Sequence, residues 1–214
     1  MRLVVRLLRP LEVLMVALVC VAGSARAADM EHAVTLVATP RLAGSVFERT
    51  VIIAAPLPNG MHVGFIVNYP TELKLAALFP EERSMLEVTS PVYIGGPVQP
   101  RALFALARTP PADKGGLFQL MPGLVVAVEA GAVERIIETS PNDARYFLGL
   151  LVWEEGALDE EVRGGVWEVQ PANVDTVFST SPRNLWKALY RGTGAAGVWA
   201  WAKRAPARLV LAKG

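Results

Sequence analysis

The feature that most constrains this chain is a series of short runs rich in Val, Ile and Leu, each closed within a few residues by Pro, Gly or Asn. Ala33 to Ala38, Thr50 to Ala55 and Val63 to Asn68 have strand length and strand composition. Pro58-Asn59-Gly60 lies between the last two, so Thr50 to Asn68 reads as an antiparallel hairpin with a loop longer than the tightest two-residue turn. Pro91 to Ile94, Leu103 to Ala107, Leu124 to Val128 and Val166 to Val169 read as further strands, and Tyr146 to Trp153 is apolar enough to lie centrally.

Helical spacing appears only in places. Thr71 is placed to cap a short helix ended by Pro80, and Val133, Ile136 and Ile137 share one face between Ala130 and Thr139. Leu158 to Val162 reads as a short acidic helix. The clearest signal comes last, where Ser181 precedes Pro182, Leu185, Trp186 and Leu189 share a face, and Gly192 can end the run. Strands and helices do not alternate regularly. The expected fold class is therefore α+β, a single domain with a mostly antiparallel, curled, barrel-like sheet and a few short helices.

The chain has 214 residues and 52% hydrophobic content, enough to bury a sizeable core. Its 16 prolines and 18 glycines are spread along it, so nothing announces a second domain. Residues 1–27 read as a signal peptide: Arg2, Arg6 and Arg9 lead into the uncharged run Val13 to Ala22, followed by Ala25-Arg26-Ala27 as a cleavage signal. Residues 28–192 form the domain and residues 193–214 a C-terminal tail. The expected location is periplasmic or secreted, with no stable membrane insertion after cleavage.

Cleavage removes Arg2, Arg6, Arg9, Arg26 and Glu12 and turns a formal charge of +1 into about −2. A mildly acidic chain gives no electrostatic case for nucleic acid, so no nucleic-acid partner is expected. The only cysteine, Cys20, leaves with the leader, and with it any disulfide or thiol nucleophile.

Catalytic signatures are absent from the sequence: no Gly-x-Ser-x-Gly, phosphate-loop or His-Glu-x-x-His pattern occurs. His32 and His62 are isolated, so neither a metal nor another cofactor is expected, and His62 reads as a loop residue. Glu154, Glu155, Asp159, Glu160 and Glu161 fit a solvated helix face better than a calcium loop. Arg49 and Asn68 flank the hairpin ends, where a guanidinium and a carboxamide could converge on an anionic ligand, although capping of backbone groups is the more economical role. Gly95-Gly96-Pro97 reads as a sharp turn before it reads as a ligand cradle. Trp153, Trp167 and Trp186 read as core aromatics.

Four ordered segments carry a family resemblance: Gly44-Ser-Val-Phe-Glu-Arg-Thr-Val-Ile-Ile53, Gly64-Phe-Ile-Val-Asn-Tyr-Pro70, Val92-Tyr-Ile-Gly-Gly-Pro-Val98 and Arg145-Tyr-Phe-Leu-Gly149, continuing through Trp153 to Trp167. From about Ala33 to Gly192 the chain resembles the AlgH family, also called YqgE, of largely uncharacterised bacterial proteins. The resemblance implies a compact α+β fold with a curled sheet and directs attention to Arg49, Asn68, Gly95, Gly96, Pro97 and Trp153 as candidates for ligand binding. It implies no reaction. Where the family tends to have Gly-Tyr-Ala-Gly-Trp, this chain has Gly149-Leu-Leu-Val-Trp153, and Arg101-Ala-Leu-Phe104 leads to Ala107-Arg108 rather than toward a His.

Two functions follow as expectations. The first is a non-enzymatic binding or interaction module of the cell envelope, with a protein or small molecule as its unidentified partner. The alternative is a small-ligand site or enzyme built around Arg49, Asn68 and the Gly95-Gly96-Pro97 turn. A transcriptional regulator is a distant third that rests on the family label alone.

Overall fold

The computed structural model describes residues 31–81, 83–108 and 115–192. The expected leader and the 193–214 tail lie outside the described residues.

Ten strands form one branched sheet: β1 (Val34–Ala38), β2 (Val51–Pro56), β3 (His62–Ile66), β4 (Pro70–Lys74), β5 (Pro91–Ile94), β6 (Val98–Ala107), β7 (Leu117–Met121), β8 (Leu124–Ala127), β9 (Ala144–Trp153) and β10 (Trp167–Pro171). The main path runs β10-β1-β2-β3-β9-β6-β8-β7, and β5 pairs with both β4 and β9. All pairings are antiparallel except β5 with β9. The expected curled, mostly antiparallel sheet is what forms, a half-barrel with a few short helices.

Alternation along the strands sorts the apolar residues onto two faces. Val51, Ile53, Phe65, Phe104, Leu106, Val126 and Phe147 meet on the concave side, where Phe65 touches Phe104 and Phe147 at 5.8 and 5.5 Å between ring centroids. These spacings suit edge-to-face packing. Short helices α4 (Val174–Val177) and α5 (Leu185–Leu189) add Val177, Phe178, Leu185 and Leu189 to that core. On the convex side, α3 (Ala157–Arg163) packs Leu158 against Leu36, Ile52 and Trp153. Helix α2 (Ala130–Thr139) packs Val133, Ile136 and Ile137 against Ala105, Ala127 and Tyr146. The face expected of α2 is the face it buries.

Strand β9 serves both convex patches by changing phase. Ala144 and Tyr146 face α2, whereas Leu151 and Trp153 face α3. An even-to-odd switch needs an irregularity between them, and Gly149 supplies it at φ +70.

Three expectations are corrected. Thr71 does not cap a helix: Pro70–Lys74 is a strand, Thr71 Oγ1 donates to the Val92 carbonyl at 2.7 Å, and only Leu75–Leu78 (α1) is helical. Pairing with β5 outcompetes a helix whose one exposed turn would have little to bury. His62 is not a loop residue but the first residue of β3, 7% exposed between its cross-strand neighbours Pro56 and Trp153. The final helix is shorter than its apolar pattern, with a tight turn over Pro182–Asn184 leading into five α-helical residues and no side-chain cap from Ser181. Strand β7 and helix α4 have no counterpart among the expected elements.

Candidate functional site

The six candidate residues fall into three places. Asn68, buried just beyond β3, accepts from the Val51 amide through Oδ1 and donates to the Arg49 carbonyl through Nδ2, both at 2.8 Å. Its carboxamide thereby ties the entry of β2 to the exit of β3, one end accepting while the other donates. Arg49 adopts φ 57, and its exposed guanidinium lies 3.6 Å from Glu48 and 5.6 Å from the centre of the Trp186 ring. Trp186 in turn stacks on Tyr190 at 5.0 Å and donates its indole N–H to Ala38.

Gly95 and Gly96 are buried and Pro97 is exposed where the chain leaves β5 and steps across β9 to become β6 on its other edge. The Gly95 amide donates to Leu148 at 2.8 Å and its carbonyl accepts from Ile66 at 2.9 Å. A Cβ on Gly95 would stand 2.1 Å from the Gly149 carbonyl oxygen, and one on Gly149 would stand 2.2 Å from that of Gly96. The three glycines are therefore a contact of backbone on backbone. Gly149 belongs with the turn, a link that sequence spacing alone could not reveal because the two lie far apart in the chain and meet only through the β5–β9 pairing.

Trp153 is buried at the far end of β9, against Gly64 of β3. Its indole N–H and that of Trp167 both donate to Glu161 Oε2, at 3.0 and 2.7 Å. One member of the acidic run on α3 thus faces inward and holds two tryptophans.

Two clefts lie elsewhere. The larger, about 1280 Å³, is lined by Gln119, Leu120 and Met121 of β7 on one side and Trp167 to Pro171 of β10 on the other, with Val34, Pro56 and Val162 between. Because β7 and β10 are the two ends of the strand order, this groove is the open seam of the half-barrel. Among the described residues β10 pairs only with β1 and β7 only with β8, so each presents one edge without a ladder. The smaller cleft, about 500 Å³, is polar, and Lys74, Arg145 and Arg183 contribute to its wall. None of the six candidates lines either cleft. The seam required knowledge of strand order, and the polar cleft required the β4–β5 pairing that the helix expectation had replaced.

Among the described residues no group of three or more His, Cys, Asp or Glu is placed to hold a metal, and no helix is long and apolar enough to cross a membrane. Tyr146, on the convex side of β9, has its phenol pushed up from the ordinary value by burial, only partly opposed by the neighbouring Arg145 charge.

Residues 35–196 match the family model described as AlgH-like. A UPF0301 protein of Chlorobium phaeobacteroides is 31% identical over 163 residues, covering 74% of this chain and 84% of the relative. The UPF0301 protein YqgE of Escherichia coli is 28% identical over 161 residues, covering 71% and 86%. The solution structure of the AlgH protein from Pseudomonas aeruginosa superposes with a TM-score of 0.61 at 23% identity, over 74% of this chain and 86% of that one. A crystal structure of a Corynebacterium diphtheriae protein gives 0.62 at 22%, over 78% and 88%. At these identities the two structures establish the fold alone.

Proposed function

The chain belongs to the AlgH-like family, a membership that brings no reaction with it, and from that premise we propose that it is a non-enzymatic binding module of the cell envelope. In this reading the N-terminal segment exports it, and the seam of the half-barrel holds an extended segment of a partner protein. The observation that carries the reading is the groove between β7 and β10, two strands that each leave one edge unladdered among the described residues.

An exposed strand edge is a row of unpaired amides and carbonyls that invites another strand, and proteins normally shorten or cover such edges. Here both edges border one open groove. Main-chain hydrogen bonds to an added strand would supply affinity, and the apolar wall formed by Leu120, Met121, Val162 and Val169 would select alternate side chains. Pro122 and Pro171, one beside each edge, limit how far pairing can run and disfavour indefinite self-association. Export rests on Arg2, Arg6 and Arg9, the apolar run to Ala22 and the Ala25-Arg26-Ala27 signal.

Photo-reactive residues placed at Gln119 and at Gln170 of the full chain, expressed in its native cells, test the reading. Both positions should yield one common covalent adduct, mapped by mass spectrometry to an extended stretch of the partner, whereas Val46, 81% exposed on the loop before β2, should yield none. Equal adducts from all three positions, or none from the seam, would rule the reading out. Recovery of the protein in the cytosol with Met1 still attached would remove the envelope from it.

A second reading keeps Arg49 as a contact for a small anion, favoured by its exposed guanidinium above Trp186. It requires the anion to displace Glu48, and Arg49→Gln should then abolish small-ligand stabilisation without altering the fold.

A further inference from the structure

The 500 Å³ cleft lies beside the β4–β5 pair, where the first residues of β9 and the segment 179–183 close around it. Arg145 is its unusual member. The residue alternation of β9 places it on the same face as Phe147, whose ring belongs to the concave core, so a charged group points where its neighbours are apolar. Its Nη1 donates to the Ala144 carbonyl at 3.2 Å, and its guanidinium lies 5.2 Å from the centre of the Phe178 ring. Its Nε is shielded from solvent and has no hydrogen-bond partner.

The nearby carboxylate is taken by a different cation. Arg108, 4.3 Å from the centre of the same Phe178 ring, pairs with Asp175 at 2.8 Å. Arg145 makes no ion pair among the described residues. Lys74 is in the same condition: its ammonium donates to the Thr89 carbonyl at 3.0 Å and meets no carboxylate among them. Arg183, at the exposed rim, pairs with Glu72 at 3.0 Å, but both side chains are largely in solvent and such pairs exchange readily. The cleft wall therefore carries two positive charges that no described residue neutralises. Shielding of the Arg145 Nε raises the cost of leaving this guanidinium unpaired, and an anion in the cleft that the side chain lines would offset that cost.

The size and charge of the cleft define the ligand. About 500 Å³ falls within the usual range for small-molecule sites. Two uncompensated cations match a phosphomonoester, which carries about −1.5 to −2 near neutral pH, better than a monocarboxylate. Of the wall's hydroxyl groups, those of Thr71 and Ser90 already donate to the Val92 and Pro91 carbonyls, which leaves those of Ser179 and Thr180 to meet the rest of a polar ligand. We propose that this cleft is a binding site for a small phosphomonoester, recognised by Arg145 and Lys74 with Arg183 at the rim. It uses none of the seam residues, so it stands whether or not the seam holds a partner.

The test follows the Arg145 Nε–Hε resonance of the full chain by NMR at pH 7, titrated with inorganic phosphate and with glycerol 3-phosphate at constant ionic strength. Both probes should displace that resonance saturably, and sodium acetate or sodium chloride should leave it nearly in place. Arg145→Gln should weaken glycerol 3-phosphate binding, read by calorimetry, by about tenfold or more, and Lys74→Met by about threefold or more, as expected for lost charge-assisted contacts. Arg163→Gln, on the exposed end of α3, should leave it unchanged. Should Arg145→Gln fail to fold, the exposed Lys74 carries the comparison alone. A displacement that grows without saturating overturns the proposal, as does acetate matching phosphate or an affinity indifferent to Lys74→Met.

Discussion

Replacing Gly149 with Ala separates two effects that are usually entangled. Gly149 sits at φ +70, and the strain of a left-handed backbone for an L-residue is of order 1–2 kcal/mol. Its new Cβ would also stand 2.2 Å from the Gly96 carbonyl oxygen and 2.9 Å from that of Val98. Both obstacles are backbone, held by the β9 pairings on either side, so neither can swing away as a side chain would. Overpacking of that kind adds about 1–3 kcal/mol. Gly44 offers the control, because it has nearly the same angle, φ +76, and nothing lies within 4 Å of the place an Ala methyl would take.

Gly44→Ala should therefore show only the backbone strain, and Gly149→Ala that strain plus the collision, roughly 2–5 kcal/mol in all. For a domain of this size each kcal/mol lowers Tm by about 2–4 °C, so Gly149→Ala should melt about 4–20 °C below the parent and clearly below Gly44→Ala. Calorimetry of the two variants beside the parent measures both. If they lose the same amount, the crossing is not a close contact of main chains and the structural role assigned to Gly95, Gly96 and Gly149 is wrong.

Asn68→Ala should cost about 2–4 kcal/mol in urea denaturation, because it orphans the buried Val51 amide and the Arg49 carbonyl together; a loss under about 0.5 kcal/mol would mean the clamp contributes nothing. Glu161→Ala should cost about 1–3 kcal/mol and change the near-ultraviolet circular dichroism of Trp153 and Trp167, whereas an unchanged spectrum would contradict the shared acceptor. Tyr146 predicts an alkaline effect. Its folded-state pKa lies above the unfolded value of 10.0, so its neutral form stabilises the fold fully below that pH and the contribution falls as pH rises beyond it. Denaturation at pH 9 and pH 11 should show a larger loss for the parent than for Tyr146→Phe, and equal losses would refute the burial argument.

Sequence pattern revealed the elements that bury one regular face. The hairpin from β2 to β3, helix α2 with Val133 and Ile136, and the central strand β9 all carry an apolar period strong enough to decide their own structure. It failed where partners decide. Pro70–Lys74 has no strand pattern of its own, with three of its five residues exposed, and becomes a strand because β5 lies beside it. His62 looked like part of the turn after Asn59-Gly60, yet antiparallel register carries it into the ladder opposite Trp153.

The candidate site was legible in a similar, partial way. Asn68 and the Gly95-Gly96 turn were visible as positions with special backbone demands, and the structural roles weighed for them match the bonds they make. What local reasoning could not assemble was anything built from distant strands: the partnership of Gly149 with the turn, the seam between β7 and β10, and the convergence of Lys74, Arg145 and Arg183. Arg145 stood inside a segment quoted for resemblance, but its isolation from carboxylates is a property of the fold.

Hydrogen exchange along β7 and β10 tests the open seam most directly. In the purified protein, amides bonded to β8 or β1 should exchange slowly while the alternate amides on the outer edges exchange quickly, and the outer set should become protected once a partner strand is added. Uniform slow exchange along both strands of the isolated chain would mean that the barrel is closed and that no edge is left to receive a partner.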